Sequence, residues 1–461
     1  MNVSTAPTPK RKMRSPWWVV IGGGIAAMFA PGPVALGTLG LFIIPITAEN
    51  GWTRTEVTSG FSFGAIGMAI GIVIVGRLLD RFAIRYITIP SFIGFAIFLA
   101  LMGTLQPGAM WFYYFCFFMM GLLGGGTSIP FSKAVVSWFD NKRGVAIGTM
   151  AGFVGLGQAT IPLLAVALIA SLGWRGAYPA LAILVVIVAT VVISLLVRVR
   201  AERSVRGRLV KEVTEEKTVV NLELPGLTLK QAVRGRHFWM IALSLGTAGV
   251  AIIGLQINIV PMMVDQGIAP AQAALLLTIL GLSSLVGRVV GGFLIDRISG
   301  RILGCVVLLF PVVGLSILYV SPPFIAVAVA VFVIGIALGV ENDLIAFFIT
   351  RYLGTRNFGQ IIGWIQGPFI IASAFGPLVF SLAYDTFGTY QSVFPLFGLM
   401  MAAGGITILF LGKYRYPALH GFDKVAAKDE LAAAELLSEQ AEVEDEALVT
   451  KAAEPEVTRS R

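Results

Sequence analysis

The chain has 461 residues, of which 57% are hydrophobic and only 13% are charged, and its mean hydropathy is +0.86. Soluble domains carry about 25% charged residues, and no soluble fold could bury this much apolar surface. The net charge of +9 comes from short clusters of Lys and Arg between apolar runs, which is typical of the cytoplasmic face of a membrane protein. The composition therefore predicts a lipid bilayer as the surroundings and no nucleic-acid partner.

The chain offers few residues for catalysis or for metal binding. Its two cysteines, Cys116 and Cys305, lie far apart inside apolar runs, so neither a disulfide nor a thiolate metal site is predicted. Its two histidines, His237 and His420, flank apolar segments, which disfavours a histidine-ligated metal or a serine-histidine pair within the membrane. We therefore expect a protein that is not an enzyme and that needs neither a cofactor nor a metal.

The chain divides into apolar runs of membrane-spanning length. A helix needs about twenty mostly apolar residues to cross roughly 30 Å of hydrocarbon. The first run follows the basic residues of the tail at 1–16 and is too long for a cleaved signal peptide, and Pro31-Gly32-Pro33 predicts a bend within it. The twelve predicted spans are 17–47, 56–79, 86–105, 110–137, 144–170, 176–197, 238–263, 271–295, 302–320, 324–348, 359–384 and 391–412.

The orientation follows from the short loops, because Lys and Arg near span ends are retained on the cytoplasmic side. The opposite loops carry only Arg54 and Arg175, so both termini and the polar central connection are predicted to be cytoplasmic. The basic loops hold Arg77, Arg81, Arg85, Lys142, Arg143, Arg297, Arg301, Arg351 and Arg356. The predicted units are a cytosolic tail at 1–16, a six-helix bundle at 17–197, a cytosolic linker at 198–237, a second bundle at 238–412 and a cytosolic acidic tail at 413–461.

One segment recurs, and it is the strongest signal in the chain. GRLLDRFAIR at 76–85 returns as GFLIDRISGR at 292–301, so that residue 292 follows residue 76 by 216 positions. Tyr-Pro at 178–179 returns as Phe-Pro at 394–395 with the same spacing. Such a repeat predicts two six-helix bundles related by an axis along the membrane normal, with a solute site between them near the middle of the membrane.

The repeated run carries the motif Gly-x-x-x-Asp-Arg on a cytoplasmic loop of each half. Glycine lets helices approach closely, and Asp and Arg can form contacts in one conformation that break in another. We therefore predict a gating role, and the alternative is that the charges only set the topology. The predicted gating residues are Gly76, Asp80, Arg81, Arg85, Gly292, Asp296, Arg297 and Arg301.

Three ionisable residues are predicted inside spans, where a charge is costly and marks a functional site by default. Arg288 precedes Asp296 by eight residues, which puts it about 12 Å from the cytoplasmic end of its helix. Asp343 precedes Arg351 by the same number, and Glu341 lies about half a turn deeper. We predict that Arg288 binds a substrate carboxylate and that Glu341 or Asp343 carries a coupling proton. The alternative is an ion pair that only joins two helices.

Polar side chains in the second half are candidates for orienting the substrate by hydrogen bonds. They are Gln256 and Asn258 in the seventh span, Ser284 beside Arg288, and Gln366 in the eleventh span. Hydrogen bonding between helices explains each of them equally well.

The repeated halves and the motif at 76–85 resemble the major facilitator superfamily, whose loop signature lies between the second and third spans. The resemblance covers about residues 17–412. It implies an all-α membrane protein with twelve transmembrane helices in two pseudo-symmetric six-helix bundles, which move a solute by alternating access.

Within that superfamily, the chain resembles the branch of the monocarboxylate transporters and oxalate:formate antiporters. The run WFDNKRGVAIG at 138–148 is similar to the fifth-span signature of the branch, and Arg288 falls where the branch places an eighth-span arginine, which implies carboxylate binding. Other positions depart from the branch. Residues 15–18 keep only the aromatic part of its first-span signature, and Ser284 stands where animal members have an aspartate. The eleventh span lacks the lysine associated with oxalate exchange, which argues against a doubly charged substrate.

These observations predict a secondary transporter for a small organic anion, above all a monocarboxylate, coupled to protons and located in a bacterial inner membrane. The first alternative is proton-coupled efflux of drugs. The fifth span carries Gly148, Gly152, Gly155 and Gly157 but lacks the Gly-Pro-x-x-Gly-Gly ending that is typical of drug:proton antiporters. A sensor that binds a ligand without moving it is a further alternative.

Overall fold

The computed structural model of the protein is helical in its regular structure, apart from one backbone bridge between Gly226 and Gly354 in the described residues. This confirms the predicted all-α class. The predicted tail at 1–16, most of the linker and the tail beyond residue 416 lie outside the described residues. The described ranges are 17–79, 81–139, 143–196, 226–295, 297–320, 323–354 and 356–416.

Within the described residues, twelve helical passages follow one another in the order that the sequence predicts. A short helix at Leu229–Arg234 precedes the seventh passage and packs against it. The bounds of the twelve passages are Trp17–Asn50 (α1), Arg54–Leu78 (α2), Ile84–Leu101 (α3), Met110–Trp138 (α4), 143–172 (α5), 174–196 (α6), Arg236–Asp265 (α7), Pro270–Ile295 (α8), Gly300–Tyr319 (α9), Phe324–Leu353 (α10), 358–387 (α11) and Val393–Leu409 (α12).

The number of membrane passages agrees with the prediction. Nine stretches of the described residues are long and apolar enough to cross a membrane. One of them, Val145–Ser194, contains Gly173 at a φ of 70°, a left-handed backbone conformation that divides the stretch into α5 and α6. Together with α4 and the shorter α12, these stretches give the twelve passages.

α1 is bent in its middle, as Pro31-Gly32-Pro33 predicts. Its first α-helical part ends at Met28, a π-helical turn follows at Gly32–Leu36, and the α-helix resumes at Gly37. Because prolines have no N–H to donate, the regular hydrogen-bond ladder cannot continue through this segment.

The two halves repeat the same helix packing. α2 packs extensively on α4 in the first half, and α8 packs extensively on α10 in the second half. A Cβ added at Gly71 would clash with the carbonyl oxygen of Leu122 in α4, and one added at Gly287 would clash with the carbonyl oxygen of Ile336 in α10. Residue 287 follows residue 71 by 216 positions, which is the spacing of the sequence repeat. The prediction of two pseudo-symmetric bundles is confirmed.

The halves meet mainly along three helix pairs, α1 with α7, α2 with α11 and α5 with α8. Glycine permits the close approach in two of them. A Cβ added at Gly40 would clash with the carbonyl oxygen of Ile257, and one added at Gly281 would lie 2.6 Å from the amide nitrogen of Ala159. The Thr278 hydroxyl donates a hydrogen bond of 2.8 Å to the Ala159 carbonyl, so α5 and α8 are also joined by a polar contact.

Candidate functional site

Arg288 lies on α8 at the interface between the two halves. Gly281 and Leu285 of α8 contact α5 of the first half, whereas Gly287 and Gly291 contact α10 of the same half. Successive residues of a helix are about 100° apart, so Arg288 projects between these two rows. Its side chain is half-buried. A substrate-binding arginine in an alternating-access transporter needs such a position, because both halves must reach the solute.

Asp343 of α10 lies on the face of that helix that packs on α8. Gly339, one turn earlier, comes so close to α8 that an added Cβ would lie 2.9 Å from the amide nitrogen of Arg288. The charges of Arg288 and Asp343 interact electrostatically. Unlike Arg54 with Asp265 or Arg175 with Glu49, these two described side chains form no ion pair within 4.0 Å with each other. Arg288 and Asp343 are thus neighbours across two helices without forming the direct ion pair of the alternative interpretation.

Glu341 lies on a different face of α10, although it is only two residues from Asp343. Seven residues separate Glu341 from both Ile334 and Phe348, so the three share one side of the helix. Ile334 packs on Gly314 and Phe348 packs on Gly304, both in α9. The side chain of Glu341 is only 2% exposed, and its Oε1 has no hydrogen-bond partner in the described residues.

The predicted polar candidates occupy different environments. Asn258 is buried, donates to the carbonyls of Gly254 at 3.0 Å and Pro377 at 3.3 Å, and accepts a bond of 3.0 Å from Ser381. It therefore joins α7 to α11 within the second half. The Ser284 hydroxyl donates 2.8 Å back to the Gly281 carbonyl.

Gln256 is buried within α7, and Gln366 of α11 is half-buried. The side chain of Gln366 is therefore more accessible than that of Gln256 in this conformation. A solute-facing role for Gln256, Asn258, Ser284 and Gln366 stays a prediction.

The predicted gating motif lies at the other end of the bundle from the first residues of α2, and we call this end the motif face. Asp80 and Asp296 lie outside the described residues. Arg81 and Arg85 are exposed, Arg301 is half-buried, and the guanidinium carbon of Arg297 lies 3.6 Å from the centre of the Phe293 ring.

The two motif glycines stand in open space in this conformation. Neither Gly76 nor Gly292 has a heavy atom within 4 Å of an added Cβ, apart from its own helix. The close approach that these glycines would permit is therefore not made here.

An apolar cavity of about 180 Å³ lies between the halves. None of the predicted substrate or proton residues lines it. Ser373 supplies the one polar side chain among the described lining residues, and its hydroxyl already donates 2.8 Å to the Ile370 carbonyl. The cavity is formed by residues of α1, α2, α4, α7 and α11, namely Pro31, Gly32, Ala35, Leu36, Phe61, Gly64, Ala65, Met68, Phe117, Met120, Gly121, Ile253, Phe369, Ile370 and Ser373.

A cluster of charged and aromatic residues joins the halves at the end of the interface opposite the motif face. Arg54, at the start of α2, forms a bidentate ion pair with Asp265 at the end of α7, at 2.5 Å and 2.7 Å. The same guanidinium donates 2.5 Å to the Tyr390 hydroxyl and lies 3.7 Å from the centre of the Tyr384 ring. Bidentate pairs of this kind combine two charge-assisted hydrogen bonds with a fixed geometry.

Asp385 of α11 completes this cluster by capping α2 from the other half. Its carboxylate accepts hydrogen bonds from the Thr55 amide at 2.8 Å, the Thr55 hydroxyl at 2.6 Å and the Arg54 amide at 3.3 Å. A carboxylate at the first turn of a helix also interacts favourably with the helix dipole. We call Arg54, Thr55, Asp265, Asp385 and Tyr390 the clamp, and their end of the molecule the clamp face.

The clamp tyrosine is held in its neutral form. Burial raises the pKa of Tyr390, so its hydroxyl remains a hydrogen-bonding group for Arg54 at physiological pH. Further towards mid-membrane, the Ser62 hydroxyl of α2 donates 3.3 Å to the Ala374 carbonyl of α11. The hydrogen bonds and the ion pair between the halves that are described above lie between the clamp face and the middle of the interface.

The sequence analysis used Arg54 only as a marker of topology and missed the clamp. The available signal was that Arg54, Asp265 and Asp385 all lie at span ends on the charge-poor face. Charged residues on a face with few Lys and Arg do not set the membrane orientation, so they are candidates for ion pairs and hydrogen bonds between helices. Arg175, the other cation of that face, binds Glu49 at 2.8 Å within the first half.

Comparison with known families agrees with this architecture. The family model of the Major Facilitator Superfamily matches residues 25–262 and again residues 247–444. The chain belongs to the Major Facilitator Superfamily. A bacterial homologue of the human lysosomal transporter Spinster, solved in an inward-facing and unoccupied conformation, shares the fold with a TM-score of 0.64 at 14% identity, covering 87% of this chain and 95% of the other.

Several curated members of this superfamily are similar over most of the chain. An MFS-type transporter of Escherichia coli, YhjX, is 25% identical and the match covers 77% of this chain and 86% of that protein. The niacin transporter NiaP of Acinetobacter baylyi is 26% identical over 86% and 93%, and monocarboxylate transporter 13 of Rattus norvegicus is 23% identical over 86% and 88%. The predicted superfamily and the predicted resemblance to monocarboxylate transporters are confirmed.

Proposed function

We propose that this superfamily member is a secondary active transporter that moves a small organic monoanion by alternating access, coupled to protons. The observation that carries the proposal is Arg288, a guanidinium at the interface of the halves with no ion pair within 4.0 Å in the described residues. A planar guanidinium binds a carboxylate through two parallel hydrogen bonds. Relatives named for niacin and for monocarboxylates support an acid as the substrate.

The two acids of α10 divide the proton chemistry between them in this proposal. Asp343 faces Arg288, so a substrate carboxylate that binds the guanidinium competes with Asp343 and favours its protonation. Glu341 is buried without a partner for Oε1, and an unpaired carboxylate in such a place is costly unless it is neutral. Glu341 is therefore the group that holds a proton in the conformation described here.

The clamp acts as the closed gate. Basic residues concentrate at the motif face, so the positive-inside rule puts that face and both termini in the cytoplasm of a bacterial cell, and the clamp face outside the inner membrane. The conformation is then open towards the cytoplasm. In the opposite conformation, the clamp breaks and the motif residues around Gly76 and Gly292 approach each other.

Transport by the purified protein in proteoliposomes tests the proposal. Labelled monocarboxylates are offered with and without an inward proton gradient, to the native protein and to the Arg288→Ala variant. We expect gradient-driven accumulation of at least one acid and its loss in Arg288→Ala. Arg234→Lys, an exposed arginine of the short helix before α7, is the control and should transport normally.

Proton-coupled efflux of lipophilic compounds is the second candidate, because the cavity between the halves is almost entirely apolar. It is distinguished in the same vesicles. Expulsion of lipophilic cations, together with no uptake of any acid, would replace the carboxylate proposal with efflux.

A further inference from the structure

The sequence repeat continues on the clamp face, where the first helix of each half ends. PITAENG at 45–51 returns as PMMVDQG at 261–267, so that residue 261 follows residue 45 by 216 positions. Both helices end in the same way, because Gly51 and Gly267 adopt left-handed backbone conformations with φ of 69° and 83°. The acids Glu49 and Asp265 therefore occupy equivalent positions in the two halves.

Glu49 finds its partners within its own half. Its carboxylate accepts hydrogen bonds from the Trp174 indole N–H at 2.6 Å and from the Arg175 guanidinium at 2.9 Å, and the ion pair with Arg175 is 2.8 Å long. The guanidinium carbon of Arg175 also lies 4.4 Å from the centre of the Trp174 ring. An aromatic residue and an arginine at the start of α6 thus hold the acid at the end of α1.

The second half keeps the aromatic residue of this arrangement but not the cation. The pair at 174–175 recurs 216 positions later as Tyr390 and Gln391. A glutamine amide is uncharged, so Gln391 cannot form an ion pair with Asp265. Asp265 pairs with Arg54 of the other half, whose guanidinium also donates to the Tyr390 hydroxyl. The acid, the aromatic residue and the arginine are all present again, but here the arginine comes from the opposite bundle.

The reverse exchange is not encoded in the chain. The residue that follows Arg54 by 216 positions is Pro270, which has no charge to offer Glu49. Position 391 has room for a longer side chain, because Gln391 is exposed and lines a cavity together with Asp265 and Tyr390. An arginine at position 391 would therefore have space to reach Asp265, as Arg175 reaches Glu49 in the first half.

We propose that Gln391 is a positioning residue of the clamp, which determines the partner of Asp265. It withholds the arginine that the first half supplies to Glu49, and this leaves Asp265 to Arg54. An ion pair within one half is thereby replaced by an ion pair between the halves. The inference rests on the proposed function, in which the clamp is the closed gate, but it does not depend on which solute is carried. It predicts that Gln391→Arg gives Asp265 a partner within the second half, releases Arg54 and opens the clamp face.

The distance between the halves at the clamp face tests this inference without any transported solute. Spin labels on Gln106→Cys, before α4, and Ala269→Cys, before α8, report that distance by pulsed electron paramagnetic resonance of the protein in lipid nanodiscs. Both labelled positions are exposed, and Cys116 and Cys305 are replaced by serine. We expect Gln391→Arg to raise the population with the longer distance roughly threefold, the shift typical of exchanging one partly exposed ion pair.

Two further variants separate partner exchange from other effects of the substitution. Gln391→Met is uncharged and of similar length, and it should keep the native distances. Repulsion between two arginines would also loosen the clamp, but it would persist in the Asp265→Asn background. If the added arginine acts by binding Asp265, it changes nothing further once that carboxylate is removed. A single cooperative thermal transition in each variant establishes that it is folded.

The outcomes distinguish the inference from the proposed function. No shift in Gln391→Arg, or an equal shift with and without the Asp265 carboxylate, would overturn the role of Gln391. If Asp265→Asn alone moves the distances and Gln391→Arg does not, the gate stands and only this inference is wrong. If Asp265→Asn leaves the distances unchanged, the clamp does not hold the halves together, and the gate of the proposed function is wrong together with the inference.

Discussion

Arg54 and Arg288 are two interface arginines with opposite surroundings. The guanidinium of Arg54 forms an ion pair with Asp265, donates a hydrogen bond to Tyr390 and lies over the ring of Tyr384, so its positive charge is neutralised by neighbouring groups. Arg288 interacts with Asp343 only across a longer distance. The guanidinium of Arg54 is therefore occupied by contacts between the halves, whereas that of Arg288 is available for the substrate carboxylate that we propose it binds.

The first residue-scale prediction concerns the shape of the Arg288 head group. Arg288→Lys keeps the positive charge but removes the paired hydrogen bonds of the guanidinium. We expect kcat/KM for the transported acid to fall at least tenfold, mainly through KM, while the melting temperature stays the same. Initial rates of uptake across a range of acid concentrations measure this. Unchanged kinetics would mean that Arg288 does not bind the carboxylate.

The second residue-scale prediction separates proton coupling from substrate movement. Glu341→Gln keeps the size of the side chain and removes its proton site. We expect gradient-driven accumulation to be lost, whereas exchange of labelled for unlabelled acid, which needs no net proton movement, should continue. Asp343→Asn is the comparison variant. If Glu341→Gln still accumulates the acid against its gradient, the proton is carried elsewhere.

At the scale of helices, two glycines of α8 near its motif-face end have different surroundings. Gly287 lies against the backbone of α10, so any side chain there forces the helices apart. Gly292, in the repeated motif, has empty space around it. Both glycines recur in the first half, as Gly71 and Gly76. Gly71 and Gly287 allow helices to pack closely within a bundle. Gly76 and Gly292 leave room for a close helix contact that is not made in this conformation.

The element-scale prediction uses these two glycines as matched variants. Gly287→Leu should lower the melting temperature by several degrees, since overpacking costs about 1–3 kcal/mol and the obstructing atom belongs to the backbone. Gly292→Leu should melt like the native protein and yet transport poorly, because the added side chain blocks closure of the motif face. Thermal unfolding and uptake are measured on both. Normal transport by Gly292→Leu would remove Gly292 from the gate.

At the scale of the whole molecule, the clamp is the contact between the halves that we propose holds one face closed. It links the start of α2 in the first half to the second half through the six hydrogen bonds described above, and the two between Arg54 and Asp265 also form the ion pair. In the proposed transport cycle, these contacts exist in only one of the two conformations. If they are broken, the equilibrium between the two conformations must shift by the free energy of those contacts.

The whole-molecule prediction follows from this linkage. Arg54→Gln should increase the population open at the clamp face on the order of tenfold. A cysteine at Ala35, with Cys116 and Cys305 replaced by serine, reports access to the cavity through its labelling by a membrane-impermeant maleimide. Labelling from the clamp face should rise, and labelling from the motif face should fall.

Arg175→Gln is the matched control for this experiment. It breaks an ion pair on the same face, but that pair lies within one half and does not join the two. Equal labelling in Arg54→Gln and Arg175→Gln would show that the clamp does not hold the halves together.

Some of the candidate site follows from sequence, and the reason is local. The depth of Arg288 and Asp343 depends only on the helix rise counted from the loops, so their common layer could be predicted. The separation of Glu341 from Asp343 onto different faces is also a matter of helical period, but which face meets which neighbour depends on packing. Asn258, predicted as a solute contact or a helix contact, bonds Ser381 and the Pro377 carbonyl, and only the three-dimensional contacts show this.

The sequence by itself determined the helical class, the twelve passages, the twofold repeat and the bend at Pro31-Gly32-Pro33. These features follow from hydropathy, backbone chemistry and periodicity, which act over a few residues at a time. The tertiary structure alone decided the clamp, the empty space around Gly76 and Gly292, and the cavity, whose walls come from residues more than 300 positions apart. These features depend on how the two bundles pack against each other. Hydropathy and helical periodicity do not determine this packing, because they describe each helix separately.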